Sequence, residues 1–422
     1  MYHKTVLPNG LRVMIVDMPH MESVSLGIWI GTGGRYENMQ NAGISHFLEH
    51  MVFKGTETRS NKVLKESIEG IGGSLNGFTG EEATCYFVKV PKKFTELGLD
   101  VLSDMAINPK LSAKEIDRER EVIFEEIKMY KDRPDHYVHQ LLCELMWPNH
   151  PLGMPLVGTE KILEKIDKTR LLEYKERFYR PENIVICVCG QIEEEVFIKY
   201  VKKHLSRLEK GMPHRYKKFQ SRQKKRQHNF YKKDIEQMHL NIGFHNVSRF
   251  HTDKYTSSLL NIILGGNMSS RLFHEVREKK GLAYDISASV KHYSDTGAFI
   301  IGAGVDSKKL KKAIEVIMKE LKKIKKTRVQ SGEFQRAKDF YKGQLCMALD
   351  DTLNRMLWMG DKLIAKDINY NTDEIIDSIN MVTPDMVMEL AKKIFRPNNM
   401  NISLVGPISK KDQRGIINRL KV

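Results

Sequence analysis

SVSLGIWIGTGGRYE, residues 23–37, and QMHLNIGFHNVSRFH, residues 237–251, begin the two halves of this 422-residue chain in the same way. Both alternate apolar and polar positions as a strand does, and each runs into a helix-like segment, SHFLEHMVFKG in the first half and YTSSLLNIILGG in the second. Further on, GSLNGFTGEEATCYFVKVP (73–91) and AYDISASVKHYSDTGAFIIGAGV (283–305) both read as strand pairs. Amphipathic helices follow them, FTELGLDVLSDMA and LKKAIEVIMKELKKI. The echo is weak in identity but constant in order, which argues for a duplicated α+β domain. Strands and helices come in runs, so each domain is expected to be a mixed or antiparallel sheet covered by helices on one face.

A chain of this length is too long for one ordinary core. The expected division is an N-terminal domain over 1–205, a linker over 206–233 and a C-terminal domain of similar fold over 234–422. The linker is where the charge concentrates. Between Lys202 and Lys233 stand 13 Lys or Arg against one acid, Glu209, so +12 of the net +16 lies there and the rest of the chain carries +4. Gly211, Pro213 and the lack of apolar periodicity mark this segment as a solvated connector, with electrostatic docking of acidic partners as the second reading.

A composition of 41% hydrophobic and 29% charged residues is that of a soluble globular protein. No stretch approaches the roughly 18–20 apolar residues of a membrane span. The start, MYHKTVLPNGLRVMIV, lacks the basic region and apolar run of a secretory signal. The five cysteines form no C-x-x-C pair and read as reduced core thiols. A cytoplasmic location is expected.

ISHFLEHMVFKGT, residues 44–56, carries the chemistry. On a helix His46 and His50 share a face, with Glu49 at its edge. This HxxEH order is the inverted form of the zincin spacing, in which two histidines bind zinc and a glutamate polarises water. A catalytic zinc needs a third protein ligand on another element. REREVIFEEIKMYKDRPD, residues 118–135, offers an acidic helix in which Glu119 and Glu126 are about two turns apart. Spacing alone does not choose among Glu119, Glu125 and Glu126. The second half has no counterpart of the HxxEH trio, so one metal per chain is expected.

Taken in order, LPNGLRV (7–13), ISHFLEHMVFKGT, IGGSLNGFTGEEATCYF (71–87), EREVIFEEIKMYKDRPD (119–135) and HPLGMPLVGT (150–159) resemble the pitrilysin and mitochondrial processing peptidase family of zinc endopeptidases, its short bacterial members above all. The resemblance implies that His46, His50 and Glu126 bind zinc, that Glu49 is the general base and that Glu119 supports a ligand, with Glu125 as the runner-up for the third position. It implies that Arg277 and Tyr284, in SSRLFHEVREKKGLAYDIS (269–287), hold the substrate carbonyl and stabilise the oxyanion. It places Asn76 on a strand along which an extended peptide binds as an added edge strand. The architecture implied is two similar domains closing over a chamber that admits unfolded peptides or flexible leader segments, in a homodimer or a heterodimer with a paralogue. The Lys/Arg-rich linker departs from the short glycine-rich connectors expected in relatives.

Two other readings compete. A noncatalytic structural or partner subunit would be expected to have lost part of the ligand set, and none is lost. Nucleic-acid binding, suggested by a pI of about 9.4, would need basic residues spread over a folded face with aromatics among them; charge confined to a linker argues against it.

Overall fold

Every residue of the strand IVICVCG, Ile184–Gly190, is buried, and a strand buried on both sides needs cover on both. The computed structural model, which describes residues 2–206, 208–211, 215–366 and 371–420, shows how that cover is supplied. The chain forms two compact units. One comprises Met1–Ile127, Met154–Lys217 and Leu345–Tyr370; the other comprises Lys128–Gly153, Lys218–Gln344 and Asn371–Val422.

The sheet of the first unit contains β1 (Tyr2–Val6), β2 (Arg12–Asp17), β3 (Ser23–Ile30), β4 (Ser74–Thr79), β5 (Thr84–Pro91) and β6 (Ile184–Gly190), in the order β1-β2-β6-β3-β5-β4. The sheet of the second contains β7 (Gln227–Lys232), β8 (Gln237–Asn246), β9 (Ala283–His292), β10 (Gly297–Asp306) and β11 (Met400–Gly406), in the order β7-β11-β8-β10-β9. Without β1 the two orders coincide. Each has one parallel pair, β2 with β6 and β7 with β11, and is otherwise antiparallel. The duplicated α+β architecture is therefore present in topology, where identity between the halves is weak.

In the first unit, period 2 along β3 sends Val24, Leu26, Ile28 and Ile30 into a large core of helices, together with Tyr86 and Val88 of β5 and Ile186 and Val188 of β6. The alternate residues, Trp29, Cys85, Val185, Cys187 and Cys189, pack on the other face against Met356, Met359 and Leu363. These belong to the helix Thr352–Ile364, from the C-terminal half of the sequence. The expectation of cover on one face is thus corrected: this sheet is covered on both. Contact is close enough that a Cβ at Gly360 would lie 2.0 Å from Trp29 Nε1, and Arg12 Nη1 donates to the Leu363 carbonyl at 2.7 Å. In the second unit the helix Pro134–Met146, from the N-terminal half, plays the matching part. Its Leu142 and Met146 pack with Ala298 and Ile300, and Ser403 Oγ donates to the Val138 carbonyl at 2.6 Å.

The contiguous division at 206–233 therefore separates the two sheets but not these two helices. The linker also ends in structure, since its residues 227–232 are the edge strand β7. Among the described residues no helix is long and apolar enough to cross a membrane.

Candidate metal centre

The HxxEH segment lies on the helix Ile44–Val52, which begins at Gly43 with φ of +93°. A side chain there would be strained, and its Cβ would meet Gly158 Cα at 2.8 Å. The helix start has an unusual cap. Glu37, 5% exposed, accepts from the Gly43 and Ser45 backbone N–H groups at 2.7 and 2.8 Å. Burial pushes its carboxyl upward, against the hydrogen bonds from Ser45 and Gly43. A carboxylate facing helix N–H groups is favoured by their exposed donors and by the helix dipole. Tyr174 OH adds hydrogen bonds of 2.7 Å to both Ser45 Oγ and Thr32 Oγ1.

One helical turn later His46 and His50 lie with ring centroids 4.6 Å apart. The helix Ala113–Asp132 brings Glu126 to them: its Oε2 is 3.6 Å from Nε2 of each histidine. Ligand atoms of His46, His50 and Glu126 all lie within 4.8 Å of one another. Two turns before Glu126, buried Glu119 places Oε2 3.3 Å from His50 Nδ1, and its Oε1 accepts from Lys54 Nζ at 2.6 Å. Burial alone would raise the Glu119 carboxyl, but the hydrogen bonds from His50 and Lys54 hold it below the ordinary range. Glu125 is exposed on the same helix and outside this cluster.

The donor set fits a zinc ion. Four-coordinate zinc with ligands at about 2.0–2.2 Å separates neighbouring ligand atoms by roughly 3.4 Å, close to the two His–Glu separations. A 3.6 Å gap is too long for a hydrogen bond. The other ring nitrogen of His46, Nδ1, is buried with no hydrogen-bond partner among the described residues, so no group there orients that ring. Burial, with His50 close by, pushes the His46 imidazole down to about 3, which keeps it neutral and able to donate a lone pair.

Glu49 points from the same helix toward β4, where Thr79 Oγ1 donates to its Oε2 at 2.6 Å. Burial raises the Glu49 carboxyl and the Thr79 hydrogen bond opposes it. Among the described residues β4 is an edge strand paired only with β5. Asn76 is exposed on it, with Oδ1 accepting from Gly77 N–H at 2.8 Å. Arg277 and Tyr284 belong to the second unit, Arg277 on the π-helix Phe273–Glu278 and Tyr284 on β9. The Arg277 guanidinium stands 5.5 Å from the centre of the Tyr284 ring, which is 77% exposed.

Sequence reading missed Glu37, Lys54 and Thr79. Glu37 precedes its helix by too many residues to look like a cap, and Thr79 is one more alternating strand residue. Lys54 and Thr79 were signalled only by lying inside segments that resemble the family, and Glu37 lies in none of those segments.

A helix with two histidines and a glutamate, an acidic helix across from it, and a second α+β unit without the trio define a protein with a candidate metal site of the inverted motif in its first unit. Comparison with known proteins places it. The model described as insulinase (peptidase family M16) matches residues 12–160, and that described as peptidase M16 inactive domain matches 165–341. The uncharacterized zinc protease YmxG of Bacillus subtilis is 38% identical over 400 residues, 94% of this chain and 97% of that protein. An uncharacterized zinc protease of Rickettsia felis is 33% identical over 407 residues, 95% of this chain and 96% of its own. Among solved structures, a protease from Helicobacter pylori superposes with a TM-score of 0.89 at 21% identity, over 96% of this chain and 99% of the other. A peptidase M16 inactive domain from Pseudomonas fluorescens does so with 0.90 at 18%, over 97% and 98%; at these identities the likeness is one of fold. The chain belongs to the pitrilysin family, peptidase family M16.

Proposed function

We propose that this protein is a zinc-dependent endopeptidase acting on unfolded peptides or flexible leader segments. The observation that carries the proposal is the meeting of His46, His50 and Glu126 within 4.8 Å, with Glu49 on the same helix turned to a free-edged strand. His46, His50 and Glu126 would hold the ion, and Glu119 would fix the ring and tautomer of His50 through Nδ1. Zinc bound there supplies Lewis acidity, which brings the ionisation of water toward neutrality.

Glu49 acts on protons. Burial raises its proton affinity, which suits a base that takes a proton from water and returns it to the leaving amine. Thr79 keeps one of its oxygens in place and leaves the other for the exchange. The unpaired edge of β4 can hydrogen-bond an extended chain around Asn76, a mode that selects unfolded segments because a folded protein seldom offers a free strand. Arg277 and Tyr284 present a guanidinium and a phenol, the donor types that a developing oxyanion needs.

The test is metal removal and restoration. Protein stripped with a chelator should lose cleavage of a quenched unfolded peptide and recover it with about one equivalent of zinc, while a folded protein substrate stays intact. Undiminished cleavage by the stripped protein would overturn the metal-dependent reading.

A further inference from the structure

The expectation that the excess charge belongs to the linker is incomplete. The segments of the second unit hold 38 Lys or Arg against 21 Asp or Glu, a net of 38 − 21 = +17; those of the first hold 31 against 32, or −1. Residues 218–233 give only +7 of that +17, so the second unit is basic as a folded body. Leaving out residues 202–233, the first unit carries 25 − 31 = −6 and the second 31 − 21 = +10, and the small +4 outside the linker is their sum.

The basic residues gather on a particular face. The helix Leu310–Lys326 contains seven lysines and no arginine. Lys319, Lys322, Lys323 and Lys326 recur at three- and four-residue spacing, which puts them on one side, and all are exposed. The helix Lys410–Ile417 lies alongside, fastened by Lys311 Nζ to Asp412 at 2.7 Å and by Arg419 Nε to Glu315 at 2.9 Å. It adds exposed Lys410, Lys411 and Arg414. The basic segment ahead of β7 joins the same surface where Arg226 Nη1 donates to the Leu420 carbonyl at 2.9 Å. The acids of these two helices do not offset this charge. Glu315 is shared by Lys312 and Arg419, Asp412 is taken by Lys311, and Glu320 is buried.

We propose that this face docks the protein on an anionic lipid bilayer. A flat polyanionic surface is read by charge density alone, which compact ammonium groups on one helix face supply. Neither helix carries an aromatic residue for stacking bases, and the long helix, which holds most of the charge, has no arginine for bidentate phosphate contacts, so that helix offers charge density and not base or bidentate phosphate recognition. Nor is this a helix that inserts. Ile314, Ile317, Leu321 and Ile324, its apolar side, are buried in the protein core, so association is peripheral and salt-sensitive.

The experiment is co-sedimentation of the full chain with vesicles of phosphatidylcholine alone or mixed with phosphatidylglycerol, at about 0.1 M and 0.5 M salt. Binding is expected only to the mixed vesicles and only at the lower salt. Lys319→Glu/Lys322→Glu/Lys323→Glu/Lys326→Glu should lower it by about tenfold or more. Lys62→Glu/Lys65→Glu/Lys93→Glu/Lys114→Glu, an equal charge change on the first unit, should leave it nearly intact. Glutamine at the same four helix positions repeats the test if the reversed variant fails to fold. Absence of sedimentation with mixed vesicles, or equal loss in both charge variants, overturns the proposal. Tighter binding of a single-stranded RNA at the same salt, lost in the helix variant, reassigns the face to nucleic acid and overturns it too.

Discussion

Glu119 Oε2 stands 3.3 Å from Nδ1 of His50, the nitrogen turned away from Glu126. One carboxylate thereby fixes which ring nitrogen of His50 faces Glu126 and the candidate metal centre, and its other oxygen is held by Lys54. His46 has no such support, since its Nδ1 is buried and unpartnered among the described residues.

Glu119→Gln should therefore weaken zinc binding by roughly 10- to 100-fold, the usual effect of losing a carboxylate behind a ligating histidine. Competition with a chromophoric chelator measures it. Unchanged affinity would mean that Glu119 serves only to neutralise Lys54.

Glu37 is expected to set the start of the same helix. Glu37→Ala removes both acceptors from the Gly43 and Ser45 N–H groups and should cost about 2–6 kcal/mol, since each of the two buried unsatisfied donors is worth roughly 1–3. Thermal melting and zinc affinity should fall together. A variant that melts and binds zinc as the wild type does would show that the helix start is held by Tyr174 and packing instead.

His245 gives a pH-dependent term in the second unit. Its ring packs against Trp147 and Phe219, and burial pushes it down to about 4 from 6.5. Below 6.5 the unfolded chain takes up a proton that the folded one refuses. The stability from the neutral ring is thus present above pH 6.5 and lost as pH falls toward 4. The full shift would be worth about 3 kcal/mol, and partial exposure of the ring lowers this to on the order of 2. Denaturant melts of His245→Phe and wild type should diverge across that window, the variant losing less stability with acid. Parallel curves would refute the assignment.

What was legible in the sequence follows from what is local. The offsets of His46, Glu49 and His50 fix their relation on any α-helix, and period 2 along SVSLGIWI marks a strand. Glu126 lies 76 residues after His50, so spacing left it level with Glu119 and Glu125. Packing of the acidic helix separates them, since Glu119 and Glu126 share the face toward His50 and Glu125 turns to solvent. Periodicity reports that a helix buries a face, not what it buries it against. Nothing in PDHYVHQLLCELM or TLNRMLWMGDKLI tells which sheet each covers. Net charge counted along the chain likewise hid a near-neutral unit and a strongly basic one, because each unit's charge depends on which segments fold together.

The measurement that bears most directly on the central claim sets Glu49→Gln beside the wild type, with metal content and cleavage of a quenched unfolded peptide read on the same samples. Glu49 is assigned to proton transfer and not to holding the ion, so both proteins should carry about one zinc per chain while the variant loses at least about 100-fold in turnover. Cleavage by Glu49→Gln at the wild-type rate would contradict the account.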